Sequence, residues 1–129
     1  MKANIILICF FISASLYSQE QKTVEIIQAG KSIRNSIEYP DANILQKDKN
    51  LRVILFHDGA RIESDVSYYY FNENSFKANG EVNFNQGDSL LLTSDFLEYD
   101  GKTKKAIAFG NVKLTRPDMK LETDTLYLD

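Results

Sequence analysis

The chain has little of several residues that functional sites commonly need. Its 129 residues include no tryptophan, two prolines, one histidine and one cysteine. Zinc and iron sites take several Cys or His ligands, so the sequence predicts neither. No serine lies in a strand-to-helix turn near His57, and no phosphate-binding loop is present, so an enzyme is not indicated. The net charge of −3 is too weak to indicate nucleic acid. We therefore expect a non-enzymatic protein without a cofactor or a nucleic-acid partner.

The N-terminus has the three parts of a secretory signal peptide. Lys2 supplies a positive charge, residues 5–12 form an apolar run, and residues 13–18 are mostly small. The run is too short to span a bilayer, so we assign residues 1–18 to a signal peptide cleaved before Gln19. A retained anchor is the alternative. Because Cys9 lies in the signal, the mature domain, residues 19–129, enters an oxidising compartment without disulfides.

From Asp58 onward the sequence repeats with a period of about 30 residues: the first two copies are 30 apart, and the third is in step at Asp118 but one residue short by Asp124. Three segments that begin with Asp and end with Ser-Asp or Thr-Asp occupy residues 58–65, 88–95 and 118–124. Two further related segments, residues 78–82 and 108–112, lie between them. Turn residues such as Asp-Gly separate the segments, and polar and apolar residues alternate within them. The period therefore predicts strand-turn-strand units with antiparallel neighbours.

We expect an all-β fold, an antiparallel jellyroll or open sandwich with roughly nine strands. Residues 24–34 look like a degenerate first copy, in which Gly30 replaces the expected Asp. Residues 35–49 predict a long loop with one helical turn at residues 42–46. The apolar parity changes at or just after each Ser-Asp or Thr-Asp pair. Because a regular strand does not change face, this pattern predicts a bulge or corner there.

The repeated aspartates and His57 are interpreted as structural residues. An Asp in a turn bonds its own backbone, and an Asp at a change of parity satisfies freed amides. The aspartates in turns are Asp58, Asp88 and Asp118, and those at the changes of parity are Asp65, Asp95 and Asp124. A calcium site is the alternative, although the tight Gly-Asp alternation of calcium-binding repeats is missing. His57 is interpreted as a turn residue.

One face of the predicted strands is apolar and forms our candidate lining of an interior. Its members are Ile62, Val66, Phe76, Val82, Phe84, Leu90, Leu92, Phe96, Val112, Leu114 and Leu121. Such a face closes into a dry core or leaves a groove for an acyl chain. Small residues at Ala78, Gly80, Ala108 and Gly110 leave room on that side. The residues alone nevertheless favour the dry core.

Several segments together resemble a known family. Residues 86–95, 100–106, 110–114 and 121–129 are similar in order and spacing to OstA-like proteins, which are grouped with the LptA and LptC type of lipopolysaccharide-transport protein. The resemblance covers residues 24–129. It implies a V-shaped, twisted β-jellyroll whose two sheets enclose an apolar groove for lipid A acyl chains. The lining residues named above then become lipid-groove candidates.

The resemblance also implies a role and partners. The role is periplasmic transport of lipopolysaccharide, or a related lipid, in outer-membrane assembly. The partners are other transport-bridge proteins, or further copies of the chain, which pair through edge strands. The family has no cofactor and no catalytic residue. Since residues 118–129 match the first half of a unit only, we expect the domain to lack its last unit. A structural domain that pairs by its edges without lipid, and a calcium-dependent adhesin-like repeat, are the alternatives.

Overall fold

The computed structural model describes residues 22–129, so the predicted signal peptide and its cleavage site lie outside it. The described residues form ten antiparallel strands, which confirms the all-β prediction. They contain no helix that is long and apolar enough to cross a membrane. The strands are β1 (Glu25–Gln28), β2 (Lys31–Arg34), β3 (Ala42–Gln46), β4 (Val53–His57), β5 (Ala60–Ser64), β6 (Val66–Tyr70), β7 (Ser75–Gln86), β8 (Leu90–Asp100), β9 (Lys105–Arg116) and β10 (Met119–Leu128).

The strands form a meander in which each pass of the chain bends near its middle. The pairs β1 and β2, β3 and β4, and β5 and β6 are the two halves of one bent pass each, whereas β7 to β10 continue through the bend. A first wall lies on one side of the bend and consists of β1, β4, β5 and the adjoining halves of β7–β10. On the other side, β2, β3, β6 and the remaining halves form a second wall. The curled sheet is consistent with a jellyroll-like open sandwich.

Left-handed residues make the bends in β7 and β9. Gly80 and Glu81 have φ values of 85° and 46°, and Gly110 and Asn111 have φ values of 81° and 49°. The pairing with β8 shifts register at both places, because β7 and β9 carry one residue more than β8 between matched pairs. The predicted irregularity is therefore confirmed at the level of the Ser-Asp pair. The extra residue, however, lies in β7 and β9, the strands that carry the bend glycines, and not in β8, which carries the Ser-Asp pair.

Each bend glycine leaves space for an aspartate of a neighbouring strand. A Cβ atom on Gly80 would lie 2.7 Å from the Cβ of Asp65, and one on Gly110 would lie 2.9 Å from the Cβ of Asp95. Asp65 also donates its backbone N–H to the carbonyl of Gly80 at 3.0 Å. The space that the sequence assigned to the interior at Gly80 and Gly110 is thus filled by aspartate side chains at the bend, whereas Ala78 and Ala108 lie in the interior as expected.

The hydroxyl of each Ser-Asp or Thr-Asp pair caps the bend of its own strand. Ser64 Oγ donates to the carbonyl of Val66 at 3.1 Å, and Ser94 Oγ donates to that of Phe96 at 2.9 Å. Thr123 Oγ1 lies 3.5 Å from the carbonyl of Thr125 in the third copy. These carbonyls lie where the ladder is interrupted, so the hydroxyl supplies a missing donor. The repeated residue pair therefore encodes the bend.

Residues 42–46 form strand β3, so the predicted helical turn is wrong. β3 pairs with β6 through its whole length, with Ile44 opposite Tyr68. Ala42 and Ile44 are buried, and Tyr39 of the preceding loop packs its ring 4.9 Å from that of Tyr68. Pairing and burial on both faces outweigh the local preference of this segment.

We predict that Gly80→Ala destabilises the fold more than Gly59→Ala does. Both glycines have a φ near +85°, but only Gly80 faces an aspartate side chain, since nothing lies within 4 Å of a Cβ on Gly59. Left-handed alanine costs about 1–2 kcal/mol in both variants. Crowding against Asp65 adds about 1–3 kcal/mol in Gly80→Ala. Urea unfolding of the two variants measures the difference, and equal midpoints would show that the aspartate contact does not constrain the bend.

Candidate functional site

Apolar side chains from the inner faces of both walls pack into one cluster. Seven of the candidate lining residues belong to it, each exposed by 4% or less: Ile62, Phe76, Val82, Phe84, Leu92, Val112 and Leu114. Leu90 is partly buried and packs against the cluster. The structure therefore brings most of the sequence-predicted residues together, in a continuous apolar interior enclosed between the walls.

Two candidate residues lie on the outer face instead. Phe96 is 44% exposed and lies between the buried residues Ser94 and Leu97. Val66, opposite Asn79 in the ladder, occupies the matching outer position of β6. The assignment of both residues to the interior was wrong, because each strand changes face immediately after its serine and not one or two residues later.

The same change of face explains the interior residues that sequence reasoning missed. Leu97 and Tyr99 of β8 are buried in the cluster, as is Tyr69 of β6. Their opposite parity was visible in the sequence. The structure adds that, beyond the bend, residues of this opposite parity face the same interior from the second wall.

Strand β10 carries the interior to the edge of the described sheet. Leu121 lies opposite Leu114 but is 38% exposed, because β10 pairs only with β9 within residues 22–129. Leu126 and Leu128 are partly buried and pack against the cluster. The interior is thus more open to solvent beside β10 than at the other candidate positions.

A buried histidine joins the rims of the two walls. His57 ends β4 in the first wall, and its Nδ1 lies 2.6 Å from the hydroxyl of Tyr99 in the second wall. Its Nε2 lies 3.0 Å from the carbonyl oxygen of Lys22. Because a carbonyl only accepts, the network assigns the proton to Nε2 and makes Tyr99 the donor to Nδ1. Burial, and then the carboxylates of Asp58 and Asp100, raise the pKa of Tyr99 to about 12, so it stays a donor.

The sequence-based interpretation of His57 as a turn residue was wrong. It is 2% exposed, and both of its ring nitrogens are hydrogen-bonded. The signal that could have revealed it is its place at the end of the apolar run of residues 51–56, on the inner parity of that strand.

Charged groups extend this contact between the rims. Asp58 accepts from Lys104 of the β8–β9 turn and lies 2.9 Å from Lys22 Nζ. These hydrogen bonds, first from Lys104 and then from Lys22, lower the pKa of Asp58 to about 2. We call Lys22, His57, Asp58, Tyr99 and Lys104 the rim network. It closes one rim of the interior and holds the walls together there.

The segment before β1 lies across the same rim. The backbone N–H of Val24 donates to Asn74 Oδ1 at 2.7 Å, and the Tyr69 hydroxyl donates to the Val24 carbonyl at 3.2 Å. Asn74 Nδ2 also donates to the Lys22 carbonyl at 2.9 Å. Residues 22–24 therefore shield this end of the interior from solvent.

Aspartates along the bend make no site of their own. Asp65 lies within 3.4 Å of Arg52 Nη2 and 3.3 Å of Lys47 Nζ, while Asp95 accepts from Asn111 Nδ2 at 2.8 Å. They bind side-chain donors and not the freed amides that we expected. In residues 22–129 no cluster of three or more His, Cys, Asp or Glu side chains is placed to hold a metal ion.

The fold and the interior define the class, an open antiparallel sandwich bent around an apolar core. Comparison with protein families matches residues 21–129 to the family described as OstA-like protein. The chain belongs to the OstA-like family. A search of the curated proteins found none that matches. The family is related to lipopolysaccharide transport, and its proteins are periplasmic transport proteins.

We predict that Tyr99→Phe lowers the free energy of unfolding by about 1–3 kcal/mol, because it leaves buried Nδ1 of His57 without a donor. Tyr127→Phe is the control, since Tyr127 is 74% exposed. Thermal unfolding at neutral pH measures both variants. Equal melting temperatures for the two variants would mean that the histidine contact does not hold the rims.

We predict that Asp58→Asn lowers the melting temperature at neutral pH and that its gap to the unmodified protein closes in acid. The pKa of Asp58 falls from 3.8 to about 2 on folding, so the carboxylate contributes fully above 3.8 and loses its effect as the pH falls towards 2. Asp88→Asn, the exposed aspartate at the equivalent repeat position, is the control. A gap that stays constant down to the lowest pH would contradict the ion-paired role of Asp58.

Proposed function

We propose that the protein is a periplasmic lipid-binding module of lipopolysaccharide transport in outer-membrane assembly. It holds acyl chains between its two walls and passes them along a bridge of edge-paired molecules. The observation that carries the proposal is the continuous apolar interior, which extends through both walls, in a chain that belongs to the OstA-like family. Family membership gives the transport context, and the interior gives the place for the lipid.

The interior suits an acyl chain for a simple energetic reason. Each CH₂ group moved from water into an apolar environment gains about 0.8 kcal/mol. Within residues 22–129 the walls share the bent strands, and away from the bend they meet through apolar side chains and, at one rim, through the rim network and residues 22–24. Away from this rim, separation of the walls therefore exposes apolar surface that an acyl chain covers. No covalent step and no cofactor are needed.

The edges of the described sheet suit the proposed bridge. Within residues 22–129, β1 and β2 pair on one side only, with β4 and β3, and β10 pairs only with β9. Unpaired strand edges offer rows of N–H and C=O groups to another chain. The proposed partners are lipopolysaccharide or a related lipid and, at these edges, other bridge proteins or further copies of the chain.

A second function is favoured by one feature of the same interior. Its lining side chains already fill it, with exposures of 4% or less at seven candidate positions. A dry core of this kind serves a structural domain that pairs through its edges and never carries lipid. The two functions differ in whether lipid reaches the inner face, which photocrosslinking measures directly.

We predict that a photoreactive phenylalanine analogue at Leu114 forms a lipopolysaccharide adduct in cells, whereas the same analogue at Lys113 does not. The two residues are consecutive in β9, but Leu114 faces the interior and Lys113 is exposed on the outer face. Strand and depth along the sheet are therefore matched. Phe84, another interior residue, gives an independent position in β7.

An adduct at positions 114 and 84 that is absent at 113 supports a lipid-carrying interior. Adducts only to protein, or no adduct at 114 and 84 in a folded sample, would establish the edge-pairing structural domain. Equal labelling at 113 and 114 would also reject the interior as the lipid site, because it would indicate contact on both faces of the wall.

A further inference from the structure

The outer face of the second wall carries a cleft that the interior does not explain. It runs along β7, whose outward residues there are Lys77 and Asn79. Tyr68 and Tyr70 of β6 flank one side, and the Phe96–Phe109 pair flanks the other. The cleft has a volume of about 310 Å³. That volume is at the lower limit of small-molecule sites, which span about 300–1,000 Å³. We call it the outer cleft.

The flanks of the outer cleft are partly exposed aromatic rings. Phe96 and Phe109 lie opposite each other in β8 and β9, and their rings stack with centroids 5.0 Å apart at an interplanar angle of 15°. Across the cleft, the Tyr39 ring packs 4.9 Å from that of Tyr68. Neighbouring strands lie about 4.8 Å apart, so the β6 and β8 flanks are separated by about 10 Å.

The floor of the outer cleft is polar and has hydrogen-bonding groups free. Lys77 lies directly opposite Glu98 in the ladder, and Asn79 is two residues further along β7. Within residues 22–129 no ion pair joins Lys77 to Glu98, and the Lys77 ammonium lies 5.9 Å from the centroid of the Tyr70 ring, a contact that leaves its N–H donors open to a ligand. An ammonium group donates, a carboxylate accepts and an amide does both. The floor thus offers both kinds of group without a net charge.

The repeat itself shows that the fold does not require these aromatic residues. Residues at equivalent positions, 30 apart in the sequence, share their place in the bent strand. The equivalent residues in the other copies are Glu98 and Tyr127 for Tyr68, Asp100 and Asp129 for Tyr70, Val66 and Thr125 for Phe96, and Asn79 for Phe109, so Tyr68 alone has an aromatic equivalent. The rings of Tyr70, Phe96 and Phe109 are therefore particular to this cleft, and the repeat pattern does not account for them.

We propose that the outer cleft binds a saccharide. A sugar ring has an apolar C–H face that packs on aromatic rings and hydroxyl groups that both donate and accept, which are the two features that the flanks and the floor offer. A peptide strand is less suitable, because β6 and β8 already pair with β7 on both sides and leave no backbone edge to extend. A charged ligand is also less suitable, since Lys77 and Glu98 balance each other.

This proposal is separate from the lipid interior. The outer cleft lies on the opposite face of the second wall, so it stands or fails without the acyl-chain function. The sugar comes from one of two sources, the saccharide part of a lipopolysaccharide or a glycan that carries no lipid. Lipid-free probes test the outer cleft by itself and distinguish these sources.

The test is a titration of the ¹⁵N-labelled protein followed by NMR. The probes are the core oligosaccharide released from lipopolysaccharide by mild acid and peptide-free glycan fragments of the cell wall. We expect saturable amide shifts around Lys77, Asn79 and Phe96. Saturation by the first probe alone assigns a lipopolysaccharide sugar, and saturation by the second alone assigns a cell-wall glycan. Absence of saturable shifts with either probe overturns the proposal.

Repeat-guided variants test the site. Phe96→Val and Phe109→Asn each install the residue found 30 positions earlier, so they respect the strand pattern. We expect each to weaken binding about tenfold, the size of a lost aromatic contact. Leu91→Val, on the outer face of the first wall and 43% exposed, is the control and leaves affinity unchanged. Lys77→Gln tests the floor: it leaves the stacked Phe96–Phe109 pair in place and removes the ammonium that lies over the Tyr70 ring.

Dispersed amide spectra verify that each variant is folded. Binding by Phe96→Val, Phe109→Asn and Lys77→Gln at the affinity of the unmodified protein would show that the cleft is not the saccharide site. Equal weakening by Leu91→Val would do the same. Capture of a protein partner through the cleft, without any saccharide binding, would replace the proposal by a protein interface.

Discussion

The left-handed bend at Gly80 and Glu81, repeated at Gly110 and Asn111, is the constraint on which the rest of the structure depends. It adds one residue to β7 and β9 relative to β8, so apolar side chains on both sides of the bend face one interior. Glycine is needed because the aspartate of the neighbouring strand occupies the place of its Cβ. The bend therefore converts a flat meander, which would bury one face only against a separate layer, into two walls that cover each other.

The sequence predicted most strands and turns well, but it predicted only in part which residues lie on the inner face of the sheet. Turn residues, alternation and the period of 30 residues identified β7 to β10 and the level of the bends, because these features are local or recur. The side on which Phe96 lies depends on the position of the extra residue, and a shift of one residue reverses the answer. The strand at residues 42–46 and the burial of His57 depend on partners distant in the chain. A single copy of the local pattern does not reveal such partners.

The rim network shows how a polar cluster can close an apolar interior. His57 and Tyr99 are 42 residues apart and belong to different walls, so their hydrogen bond forms only when both walls are in place. A buried imidazole nitrogen left without its partner costs the protein more stability than the net contribution of the hydrogen bond itself. The rim network therefore opposes separation of the walls at this rim. Near β10, within the described residues, the leucines Leu121, Leu126 and Leu128 are partly exposed.

The two proposed sites differ in the way they obtain affinity. The interior is filled by its own side chains, so an acyl chain has to replace contacts between the walls, and its net affinity is the gain from burial minus the loss of those contacts. Weak net binding suits a protein that passes its ligand on. The outer cleft lies on a sheet paired on both sides, so its rings and polar floor are already in place before a ligand arrives. A preformed site loses little on binding, and a saccharide held there does not depend on movement of the walls. The second wall can thus carry a different site on each face, because successive residues of a strand point to opposite sides of the sheet.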